Sequence, residues 1–444
     1  MHDILKIEKP DVSKADMAKV FKYMNSNRSY IQEVIVKAQY PEYLSWKKIK
    51  RKTWVPEELS AEEFWSIIKM VRQGGVKIAI EDPSGQPFFW NKSQHYDFLL
   101  HQLDLNTGGR LIDMRLFSEE EKKGYISRGL IEEAIASAQL EGAHTTREYA
   151  KKMIQEGRAP QDRGQRMIIN NYQTMTQIKE EFKNQPLTLD ILFDLHNTLT
   201  KGTLDKHDQA GRFRRDDEDI YVGSNDGIVS YVPPEMTFVN EQITRLIAFA
   251  NDELEGHSSF IHPVVKAVLL HFWLGFLHPF ADGNGRIARA LFYWYLLRKG
   301  YWAFAFIPVS TRIKKSPVQY SMAYVNSEQD DNDVTYFIDY NLRQIEYARR
   351  DFAKYVTRQA SQQQTIHEIA EKFINLNHRQ VELINYLRAC PDERTNMTAM
   401  QKLNGVSAAT AIKDLKVMEH NGLLFHRRKG RHVFYYPTSK LLEK

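Results

Sequence analysis

Apolar residues recur at three- and four-residue intervals over most of the chain, a spacing that predicts a mainly α-helical protein. In the first 115 residues short helical patterns alternate with turns. "SAEEFW" offers Ser60 and Glu63 as a capping box, and "EDPSGQPFFW" reads as a loop or hairpin. From Phe117 to about Tyr355 the helical pattern is strong. Ser118 with Glu121, and Thr145 with Glu148, have the spacing of capping boxes, and Thr188 precedes the periodic "LDILFDLHNTL". The densest apolar run, "VVKAVLLHFWLGFL" at 264–277, predicts a buried helix. It is too short to span a bilayer and carries Lys266 and His271, the latter expected to be a satisfied core histidine. One stretch, "GRFRRDDEDIYVGSNDGIVSYVPPEM", interrupts the helices with β-branched and aromatic residues around "NDG", a hairpin signal. Between 340 and 376 the chain is polar and helical in character, with "SQQQT" expected as a connector.

The last eighty residues read as helix, helix, turn, helix, hairpin, the outline of a winged helix-turn-helix. Ser407 is placed to cap the third helix, and Asn404-Gly405 and Asn421-Gly422 to end the second and third. Charge singles out the same region. The 444-residue chain has 61 Lys and Arg against 56 Asp and Glu; residues 365–444 hold 13 and 8 of these, leaving 48 of each elsewhere. All the excess positive charge therefore lies in this module, which suggests an acidic partner. Lys413 on the third helix, with Arg427, Arg428, Lys429 and Arg431 at the wing, are the candidate DNA contacts; an interaction or dimerisation role is the alternative. A single cysteine, Cys390, excludes an intramolecular disulfide framework. The opening residues lack a run of signal-peptide length, so the expected location is cytoplasmic. The domains expected are an extension over 1–115, a helical domain over 116–355 and the module over 365–444.

The chemistry is concentrated in "HPFADGNGRIAR", residues 278–289. Gly283 and Gly285 free the backbone to aim successive N–H groups at one spot, and "RIARALFYWYLL" starts a helix whose positive end faces the same spot. Asn284 is expected to add a side-chain donor, and Arg286 and Arg289 to supply guanidinium forks for phosphate oxygens. Asp282 beside such a nest would be repelled unless a hard cation lay between them, which suggests Mg²⁺. His278, with an ordinary pKa near ~6.5, could accept a proton from an attacking hydroxyl. These residues point to phosphoryl chemistry with a hydroxyl nucleophile.

The stretch matches every defined position of HPFx(D/E)GNGRxxR, the signature of the Fic family, whose members transfer AMP from ATP to protein hydroxyls. The resemblance covers about half the chain. It implies a Fic-fold helical bundle with a β-hairpin flap, and a protein adenylyltransferase activity. His278 would deprotonate a Ser, Thr or Tyr hydroxyl that attacks the α-phosphorus. ATP would be held by Phe280, Ala281, Asp282, Gly283, Asn284, Gly285 and Arg286, with Arg289 on the γ-phosphate and Phe280 anchoring the loop. Asp282 would bind Mg²⁺ (or Mn²⁺). The hairpin would pair with an extended target segment, "DIYVG" being the candidate edge, and Tyr320 and Tyr324 would approach the adenine. "SAQLEG", residues 137–142, matches the family's inhibitory pattern: Ser137, Glu141 and Gly142 would form a brake in which Glu141 takes Arg289 from the γ-phosphate. AMP removal, use of another nucleotide, and DNA-binding regulation through the last module are the alternatives. The expected partners are a protein bearing the target hydroxyl, the chain itself included, DNA, and a second copy in a homodimer; no membrane is expected.

Overall fold

The apolar stripes gather into one large core and three smaller ones among the residues that the structure, a computed structural model, describes: 5–109, 119–218, 220–223, 229–253, 260–370, 376–430 and 432–442. The Ser118 cap and Arg431 lie outside them, as does the "NDG" turn. The first small core joins α1 (Met17–Ser26), α2 (Arg28–Gln39), the single-turn α3 (Trp46–Ile49) and α4 (Ala61–Arg72). Ser60 caps α4 with a reciprocal Glu63 bond, as its spacing predicts. The hairpin β1 (Val76–Glu81) and β2 (Pro87–Trp90), with α5 (Gln94–Leu103), belongs instead to the large core. Phe88 packs edge-on against Phe272 and Phe276 there.

α6 (Glu119–Leu140), α7 (Arg147–Glu156) and α8 (Arg163–Gln177) form a second small core beside the large one, Tyr172 packing against both. The cap of α7 is Thr146 rather than Thr145. Thr146 has the extended backbone of an N-cap and its Oγ1 accepts from the Tyr149 N–H, so Glu148 falls one position short of a reciprocal box. α9 (Leu189–Thr200) is capped by Thr188. The flap follows as two short antiparallel strands, β3 (Val222–Gly223) and β4 (Val229–Tyr231), then α10 (Met236–Ala250). α11 (Pro263–Leu277) is buried on nearly every side, as a helix apolar all round must be, and packs along α12 (Asn284–Arg298). The short α13 (Ser310–Ile313) and α14 (Pro317–Gln329) lead into α15 (Thr335–Ala370).

α15 runs straight through "SQQQT", which is therefore helix and not a connector. Glutamine is a good helix former and no Gly or Pro falls between 335 and 370, so nothing stops propagation. Buried carboxylates in α15 and just before it tie this helix to the first segments: Asp339 accepts from the Tyr43 N–H at 3.1 Å and the Tyr96 hydroxyl at 3.1 Å, and Asp333, ahead of the helix, from the Tyr43 hydroxyl at 2.6 Å.

Beyond it, α16 (His378–Ala389), α17 (Met397–Asn404) and α18 (Ala408–His420) share a core with the hairpin of β5 (Leu424–Lys429) and β6 (His432–Pro437), closed by α19 (Ser439–Leu442). Ser407 caps α18 and Gly405 ends α17 in the left-handed conformation. α17 lies against α6 and α7; Lys402 donates to the Ile154 carbonyl and Arg128 pairs with Glu382 at 2.7 Å. Among the described residues no helix is long and apolar enough to cross a membrane.

Candidate active site

α11 ends at His278, which adopts a left-handed φ of 49° while its N–H still bonds to the Leu274 carbonyl. A non-glycine residue held there carries strain on the order of 1–3 kcal/mol, which neighbouring contacts must offset. Arg214 provides them: its Nε donates to the His278 carbonyl at 2.9 Å, its backbone N–H to Pro279, and its Nη2 to the Pro234 carbonyl. The His278 Nδ1 lies 3.2 Å from the Gly275 carbonyl, an acceptor only, so Nδ1 carries the proton and Nε2 keeps its lone pair. Burial pushes the imidazole down to about 4, against the raising effects of the Gly275 carbonyl and Glu141. The half-buried ring is thus shifted downward from the ordinary pKa expected from sequence, which favours its neutral form.

The loop after His278 is closed from within. Phe280 is fully buried and stacks on the His196 ring, centroids 3.9 Å apart. The His196 Nδ1 accepts from the Gly211 N–H, so its Nε2–H donates to the Asp282 carbonyl at 3.0 Å. Asn284 turns inward as well: its Oδ1 accepts from the Phe280 N–H at 2.9 Å and its Nδ2 donates to the Phe280 carbonyl at 2.7 Å. It is thus a loop clasp and not the free donor expected.

The mouth of the loop is built for an anion. Gly283, at φ 88°, is the N-cap of α12 and offers no side chain, so the first N–H groups of that helix face the opening. Arg286 is fully buried; its Nη1 donates to the Leu199 carbonyl at 2.9 Å, whereas Nε and Nη2 are buried without a hydrogen-bond partner. Burial lowers its pKa, with Asp282 opposing. Unpaired buried donors on a cation call for an acceptor, and phosphate oxygens would satisfy them. Asp282 is not repelled here: its Oδ1 accepts from the Gly283 N–H at 2.6 Å, and its Oδ2 lies 3.2 Å from Arg163 Nη2 and 3.5 Å from Arg286 Nη2. In this structure the two guanidiniums face that carboxylate. Among the described residues no cluster of three or more His, Cys, Asp or Glu could hold a metal. A lone hard carboxylate fits a divalent ion that arrives with phosphate oxygens, and no resident site.

Arg289 is spoken for. Its Nε donates to Ser137 Oγ at 2.9 Å, and its Nη2 to the Ser137 carbonyl at 3.0 Å and to Glu141 Oε1 at 2.8 Å. Burial works against its charge, but Glu141, Tyr320 and Glu133 together outweigh that and hold the guanidinium above its ordinary value. Glu141 sits just past the end of α6, before Gly142 at φ 89°. Gly285 makes the approach possible: a Cβ there would lie 2.2 Å from Glu141 Oε1. α6 itself is pinned by buried Glu133, which accepts from the Tyr293 hydroxyl at 2.6 Å and the Ser310 N–H at 3.0 Å. An open cavity of about 820 Å³ meets the loop at Glu141 and Asp282.

Other predicted residues lie apart. His271 is buried and bonded to the Tyr320 hydroxyl, and the Tyr324 hydroxyl donates to the His271 carbonyl, so both tyrosines are engaged with α11. Lys413 is exposed on α18, and Arg427, Arg428 and Lys429 are exposed along β5. Sequence reasoning missed Arg163, His196 and Arg214. His196 stood on the apolar face of "LDILFDLHNTL" and Arg214 in the basic start of the hairpin, with nothing local to mark either.

One loop of the helical bundle thus brings together the His278 imidazole, the start of α12 and the buried Arg286 guanidinium. Residues 186–296 match the Fic/DOC family model, so the chain carries a Fic domain. It is similar to the protein adenylyltransferase Fic of Drosophila virilis, 37% identical over 115 residues, 26% of this chain and 21% of the relative. The Culex quinquefasciatus protein of the same name is 28% identical over 181 residues, 41% of this chain and 34% of that one. The chain thus spans about a fifth to a third of the length of these relatives. A Fic family protein from Desulfovibrio desulfuricans G20 aligns with a TM-score of 0.48 at 19% identity, over 78% of this chain and 97% of that one.

Proposed function

We propose that the chain transfers AMP from MgATP to a Ser, Thr or Tyr hydroxyl of a protein, itself included, and that Glu141 restrains the reaction. The observation that carries this reading is the pairing of a His278 imidazole with its Nε2 lone pair free and, on the same loop, a buried Arg286 whose Nε has no hydrogen-bond partner and whose Nη2 has only the Asp282 carboxylate 3.5 Å away. His278 Nε2 takes the proton of the incoming hydroxyl as its oxygen bonds to the α-phosphorus. The bond to the bridging oxygen breaks and pyrophosphate leaves. Arg286 and the first N–H groups of α12 hold the phosphate oxygens, and Asn284 and His196 keep the loop in register. Asp282 would hold Mg²⁺ (or Mn²⁺), which supplies charge neutralisation of the phosphates. Glu141, bonded to Arg289, competes with the γ-phosphate for that guanidinium. Incubation with α-labelled and γ-labelled ATP is the test. Retained label from the α-position only, lost in His278→Ala, is the expected result. Label from the γ-position would make the site a kinase, and release of AMP from premodified protein would reverse the direction.

For the last module we propose nucleic-acid binding through α18 and β5. The support is that α17 is packed against α6 and α7 while Lys413, Arg427, Arg428 and Lys429 stay exposed. Retention on DNA at low salt, weakened by Arg427→Glu with Arg428→Glu, tests it; equal retention of both proteins would refute it.

A further inference from the structure

α6 meets α12 in an antiparallel ladder of rungs one helical turn apart. Glu133 reaches Tyr293, Ser137 reaches Arg289 and Glu141 closes on Gly285, so both helices step by four residues at every rung. The second and third rungs bear on Arg289 itself. The first does not bond to it, and is tied elsewhere. Glu133 is 3% exposed; its Oε2 accepts from the Tyr293 hydroxyl at 2.6 Å and the Ser310 N–H at 3.0 Å, and its Oε1 from the Ser310 hydroxyl. The Tyr293 hydroxyl in turn accepts from the Val309 N–H at 2.8 Å. One carboxylate thus joins α6 to α12 and to the start of α13.

Such a group is costly. Burial raises the Glu133 pKa against the lowering effect of Ser310, Tyr293 and Arg289. Apolar side chains in place of buried ionic groups are often neutral or stabilising, so what the carboxylate adds here is direction. Packing supplies little of that at this seam. Ala134, Ser137 and Ala290 line a narrow cavity between the helices, and side chains this small give a helix pair little relief with which to lock its register. A slip of one residue along α6 moves Ser137 by about 1.5 Å and turns it by about 100°. Either displacement breaks its two bonds to Arg289.

We propose that Glu133 is the positioning residue of the restraint on Arg289: held by Tyr293 and Ser310, it sets the register of α6 on α12 at which Ser137 and Glu141 reach that guanidinium. The kinetic consequence rests on the AMP-transfer reading; the register does not. Loss of the first rung then has effects of opposite sign, a less stable chain that transfers AMP faster, whereas a residue that only holds the fold would lower both. Glutamine can keep the rung, since its oxygen accepts from Tyr293 and the Ser310 N–H while its amide donates to the Ser310 hydroxyl. Alanine strands those donors.

The test counts adenylyl groups on the full chain by intact mass after incubation with MgATP. Glu133→Ala should label itself at least about tenfold faster than the unaltered chain, Glu133→Gln should stay within about threefold of it, and Glu133→Ala added to Glu141→Gly should give less than about threefold more. An unchanged or slower rate in folded Glu133→Ala overturns the proposal. So does an equal rise on top of Glu141→Gly, which would put the effect outside the restraint. Should Glu133→Ala fail to fold, Tyr293→Phe, which removes the facing hydroxyl, takes its place with the same expected rise. A second readout needs no nucleotide. The Arg289 Nε–H, which donates to Ser137, should exchange with solvent at least about tenfold faster in Glu133→Ala or Tyr293→Phe than in the unaltered chain or Glu133→Gln, followed by NMR. Equal exchange in all of them overturns the register. If no variant takes up label, Glu141→Gly included, the AMP-transfer reading fails and the exchange result alone decides the role of Glu133.

Discussion

Replacing Glu141 with glycine removes one member of an ion pair whose other member, the Arg289 side chain, is 3% exposed. The separation is 2.8 Å, and Arg289 keeps its two bonds to Ser137 after the change. Breaking a buried pair costs about 3–5 kcal/mol when the survivor is stranded. The Glu141 side chain is 27% exposed, which screens part of its share, and the Ser137 bonds soften the loss, so about 2–3 kcal/mol is the reasonable net. In the proposed mechanism, that energy is what a γ-phosphate would have to overcome to claim Arg289. At about 1.4 kcal/mol per decade it corresponds to a rate some 30- to 150-fold higher in Glu141→Gly. The same size follows from geometry, since about an ångström of misplacement at the reacting phosphorus costs on the order of a hundredfold. Intact-mass analysis after incubation with MgATP counts adenylyl groups per chain over time. Glu141→Gln, which keeps an acceptor without the charge, should fall between the two. The variant should also unfold at lower temperature without nucleotide and recover more than the unaltered chain when ATP is added, because phosphate replaces the lost partner. A folded Glu141→Gly protein that labels itself within threefold of the unaltered rate would refute the reasoning.

His278→Ala should lower transfer by about 10²–10⁴ while leaving nucleotide affinity within about threefold, measured by titration calorimetry, because the imidazole is read as touching the hydroxyl and not the phosphates. The His278 and His196 pKa values are both lowered to about 4. The unfolded chain, near ~6.5, therefore binds more protons between pH 6.5 and 4, so stability should be level above about 6.5 and fall towards 4, followed as urea midpoints. For the free protein the acid limb of kcat/KM should lie well below 6.5; a limb at 6.5 would count against the buried, neutral base. Asn284→Ala should cost about 2–4 kcal/mol in urea unfolding, since it strands the Phe280 N–H and carbonyl in a buried loop; a loss under 1 kcal/mol would mean the loop does not depend on that clasp.

What was legible and what was not divide by sequence separation. The base, carboxylate, glycines and arginines of the catalytic loop occupy twelve consecutive residues, and their types alone specify a turn, a helix start and an anion. The Ser137–Glu141 motif could be read only because its partner Arg289, 148 residues from Glu141, was recognisable on its own. His196 and Arg214 hold the loop from 86 and 64 residues away, and no periodicity ties a histidine on one apolar face to a carbonyl on another helix's cap. Helix ends with small polar caps, such as Thr188 and Ser407, could be placed because capping is local. "SQQQT" misled because polar composition resembles a linker while glutamine's propensity favours helix, and with no Gly or Pro nearby propensity wins.

The energetics of the loop follow the same rule. A histidine's type announces a base, but its pKa is set by its surroundings, and here a half-buried ring lies at the end of α11 with its Nδ1 on the Gly275 carbonyl and its backbone carbonyl held by Arg214. A base pushed down to about 4 is a weaker proton acceptor than free imidazole, so the site gains by being neutral at any working pH and loses in proton-transfer driving force. The balance tips if phosphate charge arrives beside it, because a nearby anion favours the protonated ring that forms during attack. The depressed value in the nucleotide-free protein and a stronger base in the complex are then two consequences of one arrangement. A rise in the His278 pKa on adding a non-hydrolysable MgATP analogue, followed by NMR titration of the ring, is the expected signature, and an unchanged or lower value would break that link.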